Sequence, residues 1–244
     1  AIGCTEPVAV ALCVAKATEV LGCCPETITA RLSANILKNA MGVGIPGTGM
    51  IGLPIAIALG ALKGKSEYGL EVLKDITPES VEEGKRMIAG QGIKIELKED
   101  IEEKLYIEVT CTAGKDSATA IISGGHTNFV YAERNGEVLF DHREKAGAEA
   151  DVEEVDLNLK KVYDFATTAP LDEIRFILEA KRLNLQAAER SFQGNYGHEL
   201  GKMLRSSQQE QHIMGSNTFT HILSYTSAAC DARMAGAMIP VMSN

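Results

Sequence analysis

A cysteine near the start of the chain is the first residue whose position suggests chemistry. It lies in the stretch Gly3-Cys4-Thr5-Glu6-Pro7, directly before a long apolar run. Thr5 is a suitable N-cap, and Glu6 and Pro7 suit the first turn of a helix. A thiol at a helix N-terminus feels the positive end of the helix dipole, which favours the nucleophilic and metal-binding thiolate. A buried structural cysteine fits this position equally well.

Two further stretches contain polar candidates. His126 lies in GGHTN (124–128), where flanking glycines leave the imidazole free to reach a ligand as an acid or base. A tight hairpin with a solvated histidine explains the same residues. Lys38 lies between Asn35 and Asn39 and is the last charge before a long uncharged stretch. It could bind a substrate carboxylate, or it could simply cap the end of a strand.

The glycine-rich segment GVGIPGTG (42–49) has the spacing G-x-G-x-x-G, with a predicted strand before it and a helix after it. This is the context of a dinucleotide-binding fingerprint, but no acidic residue ends a second strand at the usual distance of ~20 residues. A loop that holds a carboxylate or phosphate at the N-terminus of the next helix is the more reasonable function.

Composition excludes several classes of protein. The 244 residues carry a net charge of -9 and no basic run, which argues against a nucleic-acid partner. Six cysteines without a C-x-x-C pair indicate free thiols and a cytoplasmic location. No charge occurs from residue 39 to residue 62, but a glycine-proline segment interrupts this stretch, so we expect a buried helix and no membrane span.

Hydrophobic patterns predict an α+β fold. Predicted helices cover 6–21, 51–62, 77–89 and much of the chain after 157, ending with one at 217–236, while predicted strands cover 26–34, 93–99, 104–112, 117–123, 128–133 and 137–142. An acidic stretch at 144–156 is interpreted as a linker. The arrangement predicts a mostly helical domain built from both chain ends (1–64 and 146–244), into which an antiparallel-sheet α+β domain (65–145) is inserted.

Four stretches together resemble one family: GCTEPVAVAL (3–12), the segment 33–62, GGHTN (124–128) and SAACDARMAGAMIPVMSN (227–244). They are similar to the L-cysteine desulfidase and serine dehydratase α-chain-like family of iron–sulfur lyases. The resemblance implies a [4Fe–4S] cluster held by three cysteines, with one iron open to substrate. Only Cys4 matches a ligand of that cluster. We expect the natural protein to continue at both ends, with the remaining ligands beyond Asn244; a chain without them would lack the cluster and its activity.

The resemblance also implies an activity, the α,β-elimination of a small amino acid. L-cysteine or L-serine would give pyruvate, ammonia and sulfide or water. Cys4 would be the metal ligand, and His126 and Lys38 would be catalytic. The residues expected to hold the amino-acid substrate are Asn35, Asn39, Gly47, Thr48, Gly49, Thr127 and Asn128. The assembly state is open, with a homodimer as one option.

Two other functions remain open at this point. The chain could be a non-catalytic, small-molecule-binding or regulatory relative that keeps the fold and its pocket. The weaker alternative is a nucleotide-dependent oxidoreductase, which depends on GVGIPG alone.

Overall fold

The computed structural model describes residues 3–143, 157–210 and 218–242, without the side chains of 207–210 and 218. These residues form a six-stranded mixed sheet and nine α-helices. The helices are α1 (Thr5–Leu21), α2 (Ala34–Ala40), α3 (Leu53–Lys63), α4 (Pro78–Ala89), α5 (Leu159–Thr168), α6 (Leu171–Ile174), α7 (Ile177–Gln193), α8 (Leu200–Glu210) and α9 (Thr218–Met234). The strands are β1 (Thr27–Leu32), β2 (Ile93–Leu97), β3 (Tyr106–Ala113), β4 (Asp116–Ser123), β5 (Phe129–Arg134) and β6 (Glu137–Asp141). A 3₁₀ segment covers Ser66–Glu71. The α+β fold class is confirmed; the linker expected at 144–156 lies outside the described residues.

The sheet has the strand order β2-β1-β3-β4-β5-β6. All neighbouring strands are antiparallel except β1 and β2, which run parallel, so the prediction of an antiparallel sheet over 65–145 is wrong for β2. A parallel pair needs a crossover, and α2, α3 and α4 lie between its two strands in the chain. The stretch 27–32, assigned to the helical domain by sequence, therefore lies inside the sheet. The division into two domains stays a prediction.

The main core lies between α1, one face of the sheet and α3. Helix α1 is apolar almost all round, and every residue from Pro7 to Ala15 is buried. From the sheet, Ile28, Val109 and Ile122 point into the same core. The thiol of Cys13 donates to the carbonyl oxygen of Ala120 at 3.3 Å, so it is a satisfied core residue.

Two local sequence signals are confirmed. Thr77 caps α4 by a capping box with Ser80, and Pro78 occupies the first turn. Asn135 and Gly136 form the tight turn between β5 and β6, with φ of 52° and 81°. Positive φ at both central residues is the geometry of a type I′ turn, which explains the Asn-Gly pair.

The C-terminal helices α7, α8 and α9 pack against one another around Ala187, Ala188, Ala228 and Ala229. The glycine-rich loop between α2 and α3 connects this group to the first core. In that loop, the Gly44 amide donates to the Met234 carbonyl at 2.8 Å. In the described parts of the chain, no helix is long and apolar enough to cross a membrane.

Gly60 allows the close approach of α3 to α1, and we predict that Gly60→Ala destabilises the protein. An added Cβ would lie 2.6 Å from the carbonyl oxygen of Ala11, a backbone atom in the middle of a buried helix. The overpacking should lower the free energy of unfolding by roughly 1–3 kcal/mol in urea titrations, outweighing the helix propensity of alanine. Gly42→Ala is the matched control, because nothing lies within 4 Å of its Cβ position. Equal stability of the two variants would contradict the packing argument.

Candidate functional site around Cys4

Cys4 itself is the N-cap residue of α1, so the expectation that Thr5 fills this position is wrong. Its backbone is extended, with φ of -79° and ψ of 139°, and its side chain makes no capping hydrogen bond. The thiol is buried and donates to Oε2 of Glu6 at 3.1 Å. A cysteine and a carboxylate two residues apart therefore form a hydrogen-bonded pair at the start of the buried helix.

The protonation of this pair is opposite to what the helix dipole predicts. Burial raises the pKa of Cys4 to about 11, and the hydrogen bond to Glu6 and its negative charge act in the same direction. The Glu6 amide and the positive charge of Arg233 act against them but are weaker. The thiol is therefore protonated near neutral pH, and the expectation of a favoured thiolate is wrong.

Glu6 is ionised at the same pH. Burial alone would raise its pKa, but hydrogen bonds from Cys4, its own amide, Thr5 and Asn39 together lower it below the ordinary value. The Thr5 hydroxyl donates to Oε2 at 3.1 Å, and Asn39 Nδ2 donates to Oε1 at 3.3 Å. Both carboxylate oxygens are thus engaged. We call Cys4, Glu6 and Asn39 the Cys4 cluster.

Helix α2 brings one of the two asparagine candidates to this cluster. Asn39 contacts Glu6 directly, and Asn35, four residues earlier, shares its helix face. Lys38 is exposed in the last turn of the same helix. The structure therefore brings Asn39 to Glu6, while Asn35 and Lys38 are exposed on α2.

The glycine-rich loop packs against the turn that contains Cys4. Gly3 has a φ of 81°, and a Cβ there would lie 2.4 Å from Cγ of Pro46, so only glycine fits. The Gly47 amide donates to the Gly236 carbonyl at 3.2 Å, and the Thr48 amide donates to the Ile45 carbonyl at 3.2 Å. These two amides are used inside the protein and are not open donors for a ligand.

The sequence predicted that Gly47, Thr48 and Gly49 lie at the N-terminus of the next helix. Helix α3 begins only at Leu53, so they do not. The dinucleotide fingerprint is also not formed. Helix α2 separates β1 from the loop, and Gly44 pairs with Ile51 in an isolated antiparallel bridge. The strand–loop–helix unit that such a site needs is absent from this described segment, which removes the basis of the oxidoreductase alternative.

The GGHTN stretch forms the turn between β4 and β5. Asn128 holds this turn together. Its side-chain Nδ2 donates to the Ser123 carbonyl oxygen at 2.8 Å, and its backbone N–H donates to the Gly125 carbonyl oxygen. The Thr127 methyl lies beside Gly69 of the 3₁₀ segment. Within the described residues, no hydrogen bond or ion pair joins this turn to the Cys4 cluster. The catalytic role of His126 stays a prediction.

The described residues do not fit a [4Fe–4S] cluster by themselves. Such a cluster is held mainly by cysteine thiolates, and Cys4 supplies one thiol here, beside the carboxylate of Glu6. Across residues 3–143, 157–210 and 218–242, no group of three or more His, Cys, Asp or Glu side chains could hold a metal ion. Cys230 is exposed on α9.

Sequence reasoning missed two residues of the site. The sequence predicts Glu6 only as a favourable charge in the first turn of the helix. Its position two residues after Cys4 is the signal that could have identified it as the partner of the thiol. Arg233, in the final helix, is the second, because its positive charge acts on Cys4. The proximity of Arg233 and Cys4, 229 positions apart in the chain, has no local sequence signal.

Comparisons with known proteins agree on one family. The model of the serine dehydratase alpha chain family matches residues 67–244. A UPF0597 protein of Phocaeicola vulgatus is 74% identical over 244 residues, and one of Bacteroides thetaiotaomicron is 68% identical over the same length. A UPF0597 protein of Vibrio campbellii is 43% identical over 247 residues. No solved structure matches the chain.

The matches cover all of this chain but 57% of the length of the Phocaeicola and Bacteroides relatives and 58% of the Vibrio relative. The family model includes the GGHTN turn and the final helix with Arg233, while the close relatives extend the similarity to the Cys4 cluster. The resemblance noted in the sequence is thus confirmed at the level of the family: the chain belongs to the serine dehydratase alpha chain family.

Proposed function

We propose that this chain contributes the Cys4 cluster to a lyase that performs α,β-elimination on L-serine or L-cysteine. Loss of water or sulfide would leave an enamine, which hydrolyses to pyruvate and ammonia. Membership of the serine dehydratase alpha chain family supports a dehydratase-like activity. The observation that carries the proposal is the 3.1 Å hydrogen bond from the buried Cys4 thiol to Glu6.

Elimination needs groups that take up and release protons beside a substrate that is held in place. The Cys4–Glu6 pair holds one proton, at Sγ near neutral pH, next to an ionised carboxylate. Because the pKa of Cys4 lies far above that of Glu6, the proton stays on Sγ, so the thiol is the proton donor of the pair and the carboxylate is the acceptor. Asn39 fixes Glu6 from the other side, which keeps the carboxylate aimed at the thiol.

A free amino acid also needs a cation for its carboxylate. Arg233 and Lys38 are the candidates, since the charge of Arg233 reaches Cys4 and Lys38 lies exposed on α2. We assign Asn35 and Asn39 to substrate binding on the same surface. Gly47, Thr48, Gly49, Thr127 and Asn128 remain proposed substrate contacts through side chains or carbonyl oxygens, and His126 a proposed acid or base.

The [4Fe–4S] cluster remains a proposal for the longer proteins of the family. Cys4 would be one ligand of it, as a thiolate that has given up the proton it carries in this structure, and the remaining ligands would lie outside the described residues. When bound, such a cluster supplies a Lewis-acidic iron. A non-catalytic relative that binds small molecules is the second candidate, and the single thiol at this site favours it.

All six cysteines are free thiols, which supports the proposed location in the reducing cytoplasm. A homodimer stays one proposal for the assembly of the protein. Neither feature alters the roles proposed for the Cys4 cluster.

The activity is tested by substitution in the full-length Phocaeicola vulgatus relative, purified without oxygen. We predict that the changes aligned with Cys4→Ser and Glu6→Gln each lower kcat/KM for pyruvate release at least about 100-fold, because each removes one half of the proton-holding pair. Pyruvate is measured with L-serine and with L-cysteine as substrates.

Cys23→Ser is the matched control, because Cys23 is exposed in the turn after α1 and should leave activity unchanged. A wild-type protein that binds either amino acid but releases no pyruvate would contradict the lyase and support the binding relative. Full activity of the variant aligned with Cys4→Ser would remove Cys4 from the site.

A second prediction concerns the thiol of Cys4 in this chain. Glu6→Gln removes the negative charge that helps to hold the pKa of Cys4 near 11, so the pKa should fall toward its ordinary value. The thiolate fraction at pH 9 should then rise several-fold, since at two pH units below the pKa only about 1% of a thiol is ionised. The rate of alkylation by iodoacetamide, followed by mass spectrometry of the Cys4 peptide from pH 8 to 11, measures this change. Glu19→Gln, on the exposed far end of α1, is the control; equal rates in wild type and Glu6→Gln would show that the carboxylate has no influence.

A further inference from the structure

An apolar groove lies between α7 and α9, away from the Cys4 cluster. It has a cavity volume of about 590 Å³, and its apolar lining includes Ile177, Leu185, Ile222, Tyr225 and Ala229. Side chains of both helices line it, whereas the small core beneath them is built largely from alanines. We call this the α7–α9 groove. A groove of this shape suits an amphipathic polypeptide segment.

Residues that precede the groove helices in the chain also expose apolar side chains. Helix α5 has no buried residue although its sequence is amphipathic, and Leu159 in its first turn is 85% exposed. Phe176, directly before α7, is 62% exposed. Contiguous exposed apolar surfaces on monomeric proteins mark interaction sites, and the α7–α9 groove is such a surface.

The occupant is indicated by the relatives and by the position of Met242. The chain spans 57% of the length of the Phocaeicola vulgatus relative, so that protein carries much polypeptide outside the match. The Met242 amide donates to Oδ1 of Asn184 at 3.0 Å, and Nδ2 of Asn184 donates back to the Met242 carbonyl at 2.8 Å. Asn184 itself lines the groove. Any polypeptide that a longer relative carries beyond the position of Met242 therefore starts beside it.

We propose that the α7–α9 groove is the docking site for the polypeptide that the longer relatives carry outside the region matched by this chain. A segment tethered at Met242 reaches the groove at a small entropic cost of loop closure, which grows slowly with length. A second copy of the chain would instead lose translational and rotational freedom on binding. The proposal does not depend on the lyase function, because it concerns packing alone.

The test compares this chain with the full-length Phocaeicola vulgatus relative by hydrogen–deuterium exchange. We expect the peptides that cover 177–185 and 219–226 to be protected at least about tenfold more in the longer protein, at low and high protein concentration alike. Peptides that cover β6 should exchange equally in both, since β6 pairs with β5 in the sheet and does not line the groove. Equal exchange in the groove helices would overturn the proposal, and so would protection that appears only at high concentration.

Three substitutions that introduce a negative charge make the test specific. Ile177 and Ile222 line the groove and are 55% and 54% exposed, while Leu139 on β6 is 55% exposed and serves as the matched control. Because all three are more than half exposed in this chain, glutamate at each position should leave its fold intact, as circular dichroism would verify. In the longer relative, the changes aligned with Ile177→Glu and Ile222→Glu should abolish the added protection, and the change aligned with Leu139→Glu should not.

The same variants identify the competing occupant. If this chain forms a dimer in sedimentation equilibrium that Ile177→Glu and Ile222→Glu dissociate and Leu139→Glu does not, then a second copy fills the groove and the proposal is wrong. A monomer, together with protection in the longer relative, supports it. Pyruvate release is not measured in either arm, so failure of this proposal and failure of the lyase proposal are separate results.

Discussion

The burial of helix α1 is the constraint on which the rest of the structure depends. Its residues contact the sheet on one side and α3 on the other, and it has no solvated stripe along most of its length. Such a helix cannot slide or rotate without exposing apolar surface, at about 25 cal/mol for each Å². Since Cys4 is the N-cap of this helix, the core of the protein fixes the position of the thiol.

Backbone contacts made possible by glycine connect this core to the C-terminal helices. A Cβ on Gly44 would lie 2.3 Å from the backbone of Ala235, and one on Gly236 would lie 2.8 Å from the backbone of Gly44. Two chain segments remote in sequence therefore touch without side chains between them. This contact carries the end of α9, and with it Arg233, toward Cys4. The glycine-rich loop thus joins the end of α9 to the core around α1.

Sequence patterns predicted the elements of the fold better than the properties of the site. Strong local signals such as the capping box at Thr77 and the turn at Asn135 gave the correct geometry because they depend on neighbouring residues only. The parallel pairing of β1 with β2 depends on residues more than sixty positions apart, which no local pattern reports. The protonation of Cys4 was predicted in the wrong direction because one effect was weighed alone. The helix dipole is worth up to about 1 kcal/mol at most exposed sites, while a rise in pKa from 9.0 to about 11 corresponds to roughly 3 kcal/mol.

The region around Cys4 and the C-terminal helices differ in how much of their apolar surface is buried. Around Cys4, apolar side chains are covered, and the polar groups of Cys4, Glu6 and Asn39 form hydrogen bonds with one another. Helices α5 and α7, in contrast, leave large apolar side chains in water. Helices in that state owe their stability to contacts made on one side only, and they gain most from a second layer of protein. The Cys4 cluster lies near the connection between these two regions, because Arg233 belongs to α9 and Cys4 to α1. Covering the C-terminal helices would therefore steady one wall of the site without touching its reactive groups.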